Sequence, residues 1–168
     1  MVHKYSSSCD RATIVRMKKR PPRTAFNPLS VEYFAALIDM GTITLKVNKN
    51  GYTLIPCVQI TSTNFRLLDD IVSAFGGALS ATQRSKHDGR KPSRYWFVHG
   101  GDAKRVLRDV LPHLRLKRRH ALCVLSVPEQ GNARGRSHVL TSHERDARRV
   151  LLERIRTLNN YHTRAYTR

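Results

Sequence analysis

An α+β domain, an antiparallel sheet with helices on one face, is the fold class this sequence predicts, and three observations carry it. Apolar residues recur at helical spacing in some stretches and at every second position in others. The two patterns follow in the order helix, strand, strand, then helix, strand, strand, then helices. The strand-like stretches alternate apolar with polar or cationic residues, which gives the sheet one dry face and one wet face. The chain also carries 31 Lys and Arg against 12 Asp and Glu, a net charge of +19. A domain this basic repels itself unless a polyanion neutralises it, and nucleic acid is the commonest such partner.

Taken in order, Ser30 is placed to cap a helix from Val31 to Met40, with Tyr33, Phe34, Leu37 and Ile38 apolar and Gly41 at its end. From Thr42 the period changes to two, with Ile43, Leu45 and Val47 on one face and Thr44, Lys46 and Asn48 on the other. Asn50-Gly51 predicts a tight turn into a second strand, Tyr52 to Thr61, in which Pro56 points to an edge position or a bulge. Asn64 caps a second helix whose stripe is Leu67, Leu68, Ile71, Val72 and Phe75, closed by Gly76-Gly77. Ala78 to Ser85 and Arg94 to His99 predict another pair of strands, joined by a basic loop. Asp102 is the expected cap of a third helix, Pro112 interrupts it, and Lys117 to Val127 continues as a further helix. Beyond the linker Gly131–Gly135, Thr141-x-x-Glu144 spells a capping box. It opens an amphipathic helix with Ala147, Val150/Leu151, Ile155 and Leu158 on one face and Arg145, Arg148, Arg149 and Arg156 on the other.

The charge is spread over three sections. Residues 1–28 hold seven bases and one acid with no apolar period, and read as a basic flexible arm or, alternatively, an organelle transit peptide. Residues 29–127 form the expected nucleic-acid-binding domain, and residues 128–168 the linker and basic C-terminal helix. A 40% hydrophobic fraction suffices for a core, and no apolar run approaches the roughly 18 residues of a membrane span, which excludes an integral membrane protein. An anionic membrane surface is the lesser rival to nucleic acid as the polyanion, and no membrane partner is expected. Cys9, Cys57 and Cys123 are scattered, without disulfide or zinc spacing, which favours a reduced intracellular compartment, cytoplasm or organelle.

The wet sheet face is the natural candidate for binding, because a two-stranded ribbon fits the DNA major groove. It is expected to present Thr44, Lys46 and Asn48, then Gln59 and Thr61, then Ser80, Thr82 and Arg84. Lys86, Arg90 and Lys91 of the basic loop, with Arg94, are expected to follow phosphates.

The segment Tyr33-Phe34-Ala35-Ala36-Leu37-Ile38-Asp39-Met40-Gly41-Thr42-Ile43 resembles the signature of LAGLIDADG homing endonucleases. Supporting segments are Phe75-Gly76-Gly77, Tyr95 to Gly100, Val110 to Lys117 and Leu152 to Asn159, in family order. The resemblance implies an αββαββα domain in which Ala35 and Ala36 let two motif helices approach in a homodimer. It implies Mg²⁺-dependent phosphodiester cleavage of a long DNA site, with Asp39 as metal ligand and Gln59 and Lys117 lining the cleavage site. The family places a second acid before the glycine, where this chain has Met40, so Asp39 could hold the metal only if the helix end shifts by about one residue. The other role open to Asp39, and the preferred one, is a hydrogen-bonding carboxylate at the helix end. Three functions follow: a homing-endonuclease-like DNA-binding protein, a cleavage-inactive relative binding structured RNA (an intron-splicing or ribosome-associated factor), or a DNA-binding regulator.

Overall fold

The structure, a computed structural model, describes residues 29–48, 53–82, 91–128 and 141–165, with side chains to residue 160. Helix α1 (Val31–Met40) starts where the Ser30 hydroxyl accepts the Tyr33 amide at 3.2 Å. It buries Phe34, Ala35 and Ile38 and leaves Tyr33 48% exposed. Gly41 then lets the chain pass close to the sheet, since a Cβ there would lie 2.4 Å from the Gln59 carbonyl oxygen.

Strands β1 (Thr42–Val47) and β2 (Leu54–Ser62) pair antiparallel, with Ile43 opposite Val58 and Val47 opposite Leu54, and the Asn48 amide donates to the Thr53 carbonyl beyond the last pair. The expected turn at Asn50-Gly51 lies outside the described residues. Helix α2 (Phe65–Phe75) is capped by Asn64, which accepts from the Leu67 amide. Strands β3 (Ala78–Leu79) and β4 (Arg94–His99) complete a sheet of order β1-β2-β4-β3. Pro56 thus lies in an interior strand, contrary to the edge expectation. It is accommodated because β4 stops at His99, opposite Cys57, so β2 has β1 alone as neighbour at Pro56.

The remaining helices are α3 (Gly100–Val110), α4 (Arg118–Leu125) and α5 (Ser142–Ala165). Asp102 does not cap α3, which begins two residues earlier; it sits in the first turn and pairs with Arg105 at 2.9 Å. The capping box at α5 forms as spelled: the Thr141 amide donates to Glu144 Oε2 and the Glu144 amide to Thr141 Oγ1. No described helix is long and apolar enough to cross a membrane.

The core lies between the helices and one face of the sheet, around Phe34, Ile38, Ile43, Val58, Trp96, Leu107 and Ile155. Phe34 stacks on Phe75 at 3.9 Å and meets the edge of Trp96 at 5.4 Å. The Trp96 indole donates to the Gly76 carbonyl at 2.7 Å, and the ring fills the space a side chain at Gly77 would need. Helix α5 packs into this core through Ile155, and Asn159 donates to the Ile43 carbonyl of edge strand β1. Covering an edge carbonyl in this way also blunts the edge against foreign strands. Of the residues expected on the apolar face of α5, Val150 is 65% exposed and Ala147 also faces solvent; Leu151 and Leu158 point inward beside Ile155, joined by Leu152, which the spacing did not single out.

Candidate nucleic-acid interface

Three residues expected to cooperate, Asp39, Gln59 and Lys117, converge at the C-terminal end of α1. The Asp39 carboxylate accepts the Arg115 amide through Oδ2 at 2.9 Å and the Lys117 amide through Oδ1 at 2.8 Å. It thereby pins the segment before α4 to the end of α1. The Lys117 ammonium donates to the Gly41 carbonyl. Burial pushes the Lys117 pKa down, partly offset by the charge of Asp39. Gln59 enters through its backbone, packed against Gly41, while Thr42 pairs with it across β1 and β2.

This arrangement does not fit a divalent-cation site. A hard cation seeks several oxygen ligands, but both carboxylate oxygens of Asp39 are directed at backbone N–H groups, and the nearby Gly41 carbonyl accepts from the Lys117 ammonium. Met40, which occupies the position before Gly41, points to solvent at 81% exposure and offers only a thioether. Among the described residues no group of three or more His, Cys, Asp and Glu side chains could hold a metal ion. The helix-end role is the one the geometry gives Asp39.

Opposite the core, the other sheet face carries Thr42, Thr44 and Lys46 of β1, Gln59 and Thr61 of β2, and Tyr95, Phe97 and His99 of β4, matched by register. Thr42, Lys46 and Thr61 are exposed; Thr44, Gln59 and the three β4 residues are half-buried. Asn48, of the same parity, is exposed just past β1, and Lys91 is exposed before β4. Cys57 lies in the middle of this face yet is buried, and burial pushes its thiol pKa up against the pull of Lys46. His99 is held below the ordinary imidazole value by burial and by the Lys46 charge.

Several expected contacts fall elsewhere. Arg94 shares the parity of Trp96, and its guanidinium lies 5.5 Å from the ring centre of Phe65 on the helix side, so it does not belong to the wet face. Ser80 follows a strand of only two residues and is buried, its hydroxyl accepting the Tyr95 amide at 3.0 Å; Thr82 is exposed beyond it. Arg84, Lys86 and Arg90 lie outside the described residues. Ala35 is fully buried in its own core and cannot line a helix–helix seam; Ala36 is exposed and can. On α5, Arg145, Arg148 and Arg149 border a shallow groove with Leu54 at the hairpin end, while Arg156 pairs with Glu153 at 2.8 Å.

The β4 row Tyr95, Phe97, His99 was missed by sequence reasoning. In Arg94-Tyr95-Trp96-Phe97-Val98-His99 nearly every residue is apolar or aromatic, so alternation does not reveal which side chains face out. The usable signal was Gly77, whose missing side chain makes room for Trp96 and so fixes the parity.

By sequence, no protein-family model and no curated protein matches the chain. Solved structures do match in fold. The homing endonuclease I-CvuI, in complex with its target, superposes with a TM-score of 0.58 at 20% identity, covering 76% of this chain and 80% of that one. The archaeal intron-encoded homing endonuclease I-Vdi141I, complexed with DNA, gives 0.55 at 15% identity over 76% and 82%. The LAGLIDADG homing endonuclease I-GzeII, in complex with a DNA target, gives 0.52 at 16% identity, covering 81% of this chain but 47% of its own. The expected α+β architecture is therefore that of the LAGLIDADG homing endonucleases.

Proposed function

Starting from a chain with the LAGLIDADG homing-endonuclease fold, we propose a nucleic-acid-binding protein that lays the open face of its sheet along DNA. The observation that carries this reading is the face itself. Thr44 and Lys46 of β1 and Gln59 and Thr61 of β2 lie along the two paired strands on the side of the sheet away from the core. Such a ribbon matches the width of a major groove, where Lys and Gln side chains pair with base edges. The net charge of +19 supplies the sequence-independent attraction. That I-CvuI and I-Vdi141I were solved with DNA supports the same use of the fold.

A second copy of the chain fits this reading. The fold unit spans four-fifths of the I-CvuI chain but less than half of I-GzeII, which supports a unit that works in pairs. Tyr33, Ala36 and Met40 form the solvent-facing side of α1 that a partner copy would cover. I-CvuI was studied with calcium and with magnesium. In this chain, however, the engaged Asp39 and the Met40 side chain favour recognition without hydrolysis.

The test is fluorescence anisotropy with full-length protein and labelled DNA, comparing wild type with Lys46→Glu and Thr61→Glu. Both substitutions are expected to weaken binding about tenfold or more, since each places a carboxylate against phosphates. Unchanged affinity in both would move the interface off the sheet. Incubating the same complexes with Mg²⁺ is expected to leave the DNA intact; site-specific nicking that Asp39→Asn abolishes would restore Asp39 as a ligand.

A further inference from the structure

We propose that Tyr95, Phe97 and His99, the outward row of β4, form a stacking platform for unpaired nucleotides, so that the preferred ligand contains a single-stranded stretch. This inference rests on the sheet-face reading above and narrows its substrate class.

The rings meet at angles. Tyr95 and Phe97 lie 5.6 Å apart between centroids at 48°, and Phe97 and His99 lie 5.0 Å apart at 65°. Neither pair is stacked: in the T-shaped Phe97–His99 pair the edge of one ring meets a face of the other, so no parallel ring takes the place that a flat partner from solvent would fill. The surroundings of Phe97 favour that approach. Its cross-strand neighbour on one side is Ala78, too small to overlie the ring; on the other it is Gln59, whose amide can pair with the edge of a base. Thr61 stands beside Tyr95, and the charge of Lys46 is felt at His99. The platform therefore has π-faces in the middle and a cation at one end, as a base-and-phosphate chain requires.

The occupant follows from two properties together. In a duplex the faces of the bases are stacked on each other and only their edges reach the groove; an unpaired base offers its face. A row of rings half open to water on an otherwise polar sheet suits the second kind of ligand. A protein partner would have to be both aromatic-binding and acidic enough to offset +19, whereas a nucleic-acid strand meets both conditions.

The experiment titrates full-length protein into two labelled probes, an oligothymidine strand and a blunt duplex of equal length, at one salt concentration. Phe97→Leu keeps apolar bulk but removes the aromatic face. It is expected to weaken the strand roughly tenfold while leaving the duplex within about twofold. Tyr95→Phe is expected to leave both unchanged. Equal loss on both probes would mean that the row touches thymine methyls in a groove, and no loss on either would mean that it touches nothing; each overturns the platform. Lys46→Glu separates this failure from a failure of the wider reading. If it weakens both probes while Phe97→Leu weakens neither, the platform alone falls; if neither substitution matters, the sheet face falls too. Should Phe97→Leu not fold, wild-type protein irradiated with an iodouracil-substituted strand decides: a crosslink on the Tyr95–His99 peptide supports the platform, and crosslinks confined to other peptides overturn it.

Discussion

Asp39 shows how much one side chain can fix. Its two oxygens hold the amides of Arg115 and Lys117, which lie 76 and 78 residues further along the chain. Replacing it by Asn turns one acceptor into a donor facing an N–H, and is expected to cost about 1–3 kcal/mol in urea unfolding. A variant as stable as wild type would remove Asp39 from its tying role. His99 gives a pH-dependent expectation. Burial and Lys46 make the folded state bind a proton there less readily than the unfolded chain. Its contribution to stability is thus complete above the unfolded-chain value near 6.5 and is lost as pH falls through that value towards the lower folded one. His99→Gln is expected to flatten thermal stability measured from neutral pH downward; an unchanged slope would contradict the assignment. At this scale the sequence was readable where residues act locally, as with the Ser30, Asn64 and Thr141–Glu144 caps. It assigned Arg94 to phosphates wrongly and passed over Phe97; the side of the sheet each takes is set by how Trp96 fits over Gly77.

Elements with a clear period were legible: α1, β1 and α2 stand where spacing places them, because amphipathic patterning and caps agree. Strand β3 was expected to run to Ser85 and covers two residues; past Leu79 the Ser80 amide still donates to the Tyr95 carbonyl, but the Tyr95 amide goes to the Ser80 hydroxyl and not to a backbone carbonyl. Helix α5, grouped by sequence with the linker, contributes the fully buried Ile155 to the core. Ile155→Ala is therefore expected to destabilise the whole protein by about 2–5 kcal/mol in a single cooperative transition. A separate, unaffected transition for residues 29–127 would show that α5 only leans on a domain complete without it. Thr141→Ala, which removes the cap hydroxyl, is expected to cost about 1 kcal/mol in the same assay.

For the molecule as a whole, charge and architecture act together. The sheet gives a face and the excess of 19 positive charges gives long-range attraction, so affinity is expected to fall steeply with salt. A slope of log K against log salt of magnitude about 3 or more corresponds to three or more phosphates neutralised. Removing residues 1–28, which carry seven bases and one acid, is expected to weaken all sequences alike; a loss confined to one sequence would contradict a phosphate-binding arm. The most direct test is hydroxyl-radical footprinting of full-length protein with and without bound nucleic acid, read by mass spectrometry at single side chains. Oxidation of Tyr95, Phe97 and His99 is expected to drop severalfold on binding. If the nucleic acid is bound while those three side chains oxidise as freely as before, the open sheet face is not where this protein holds it.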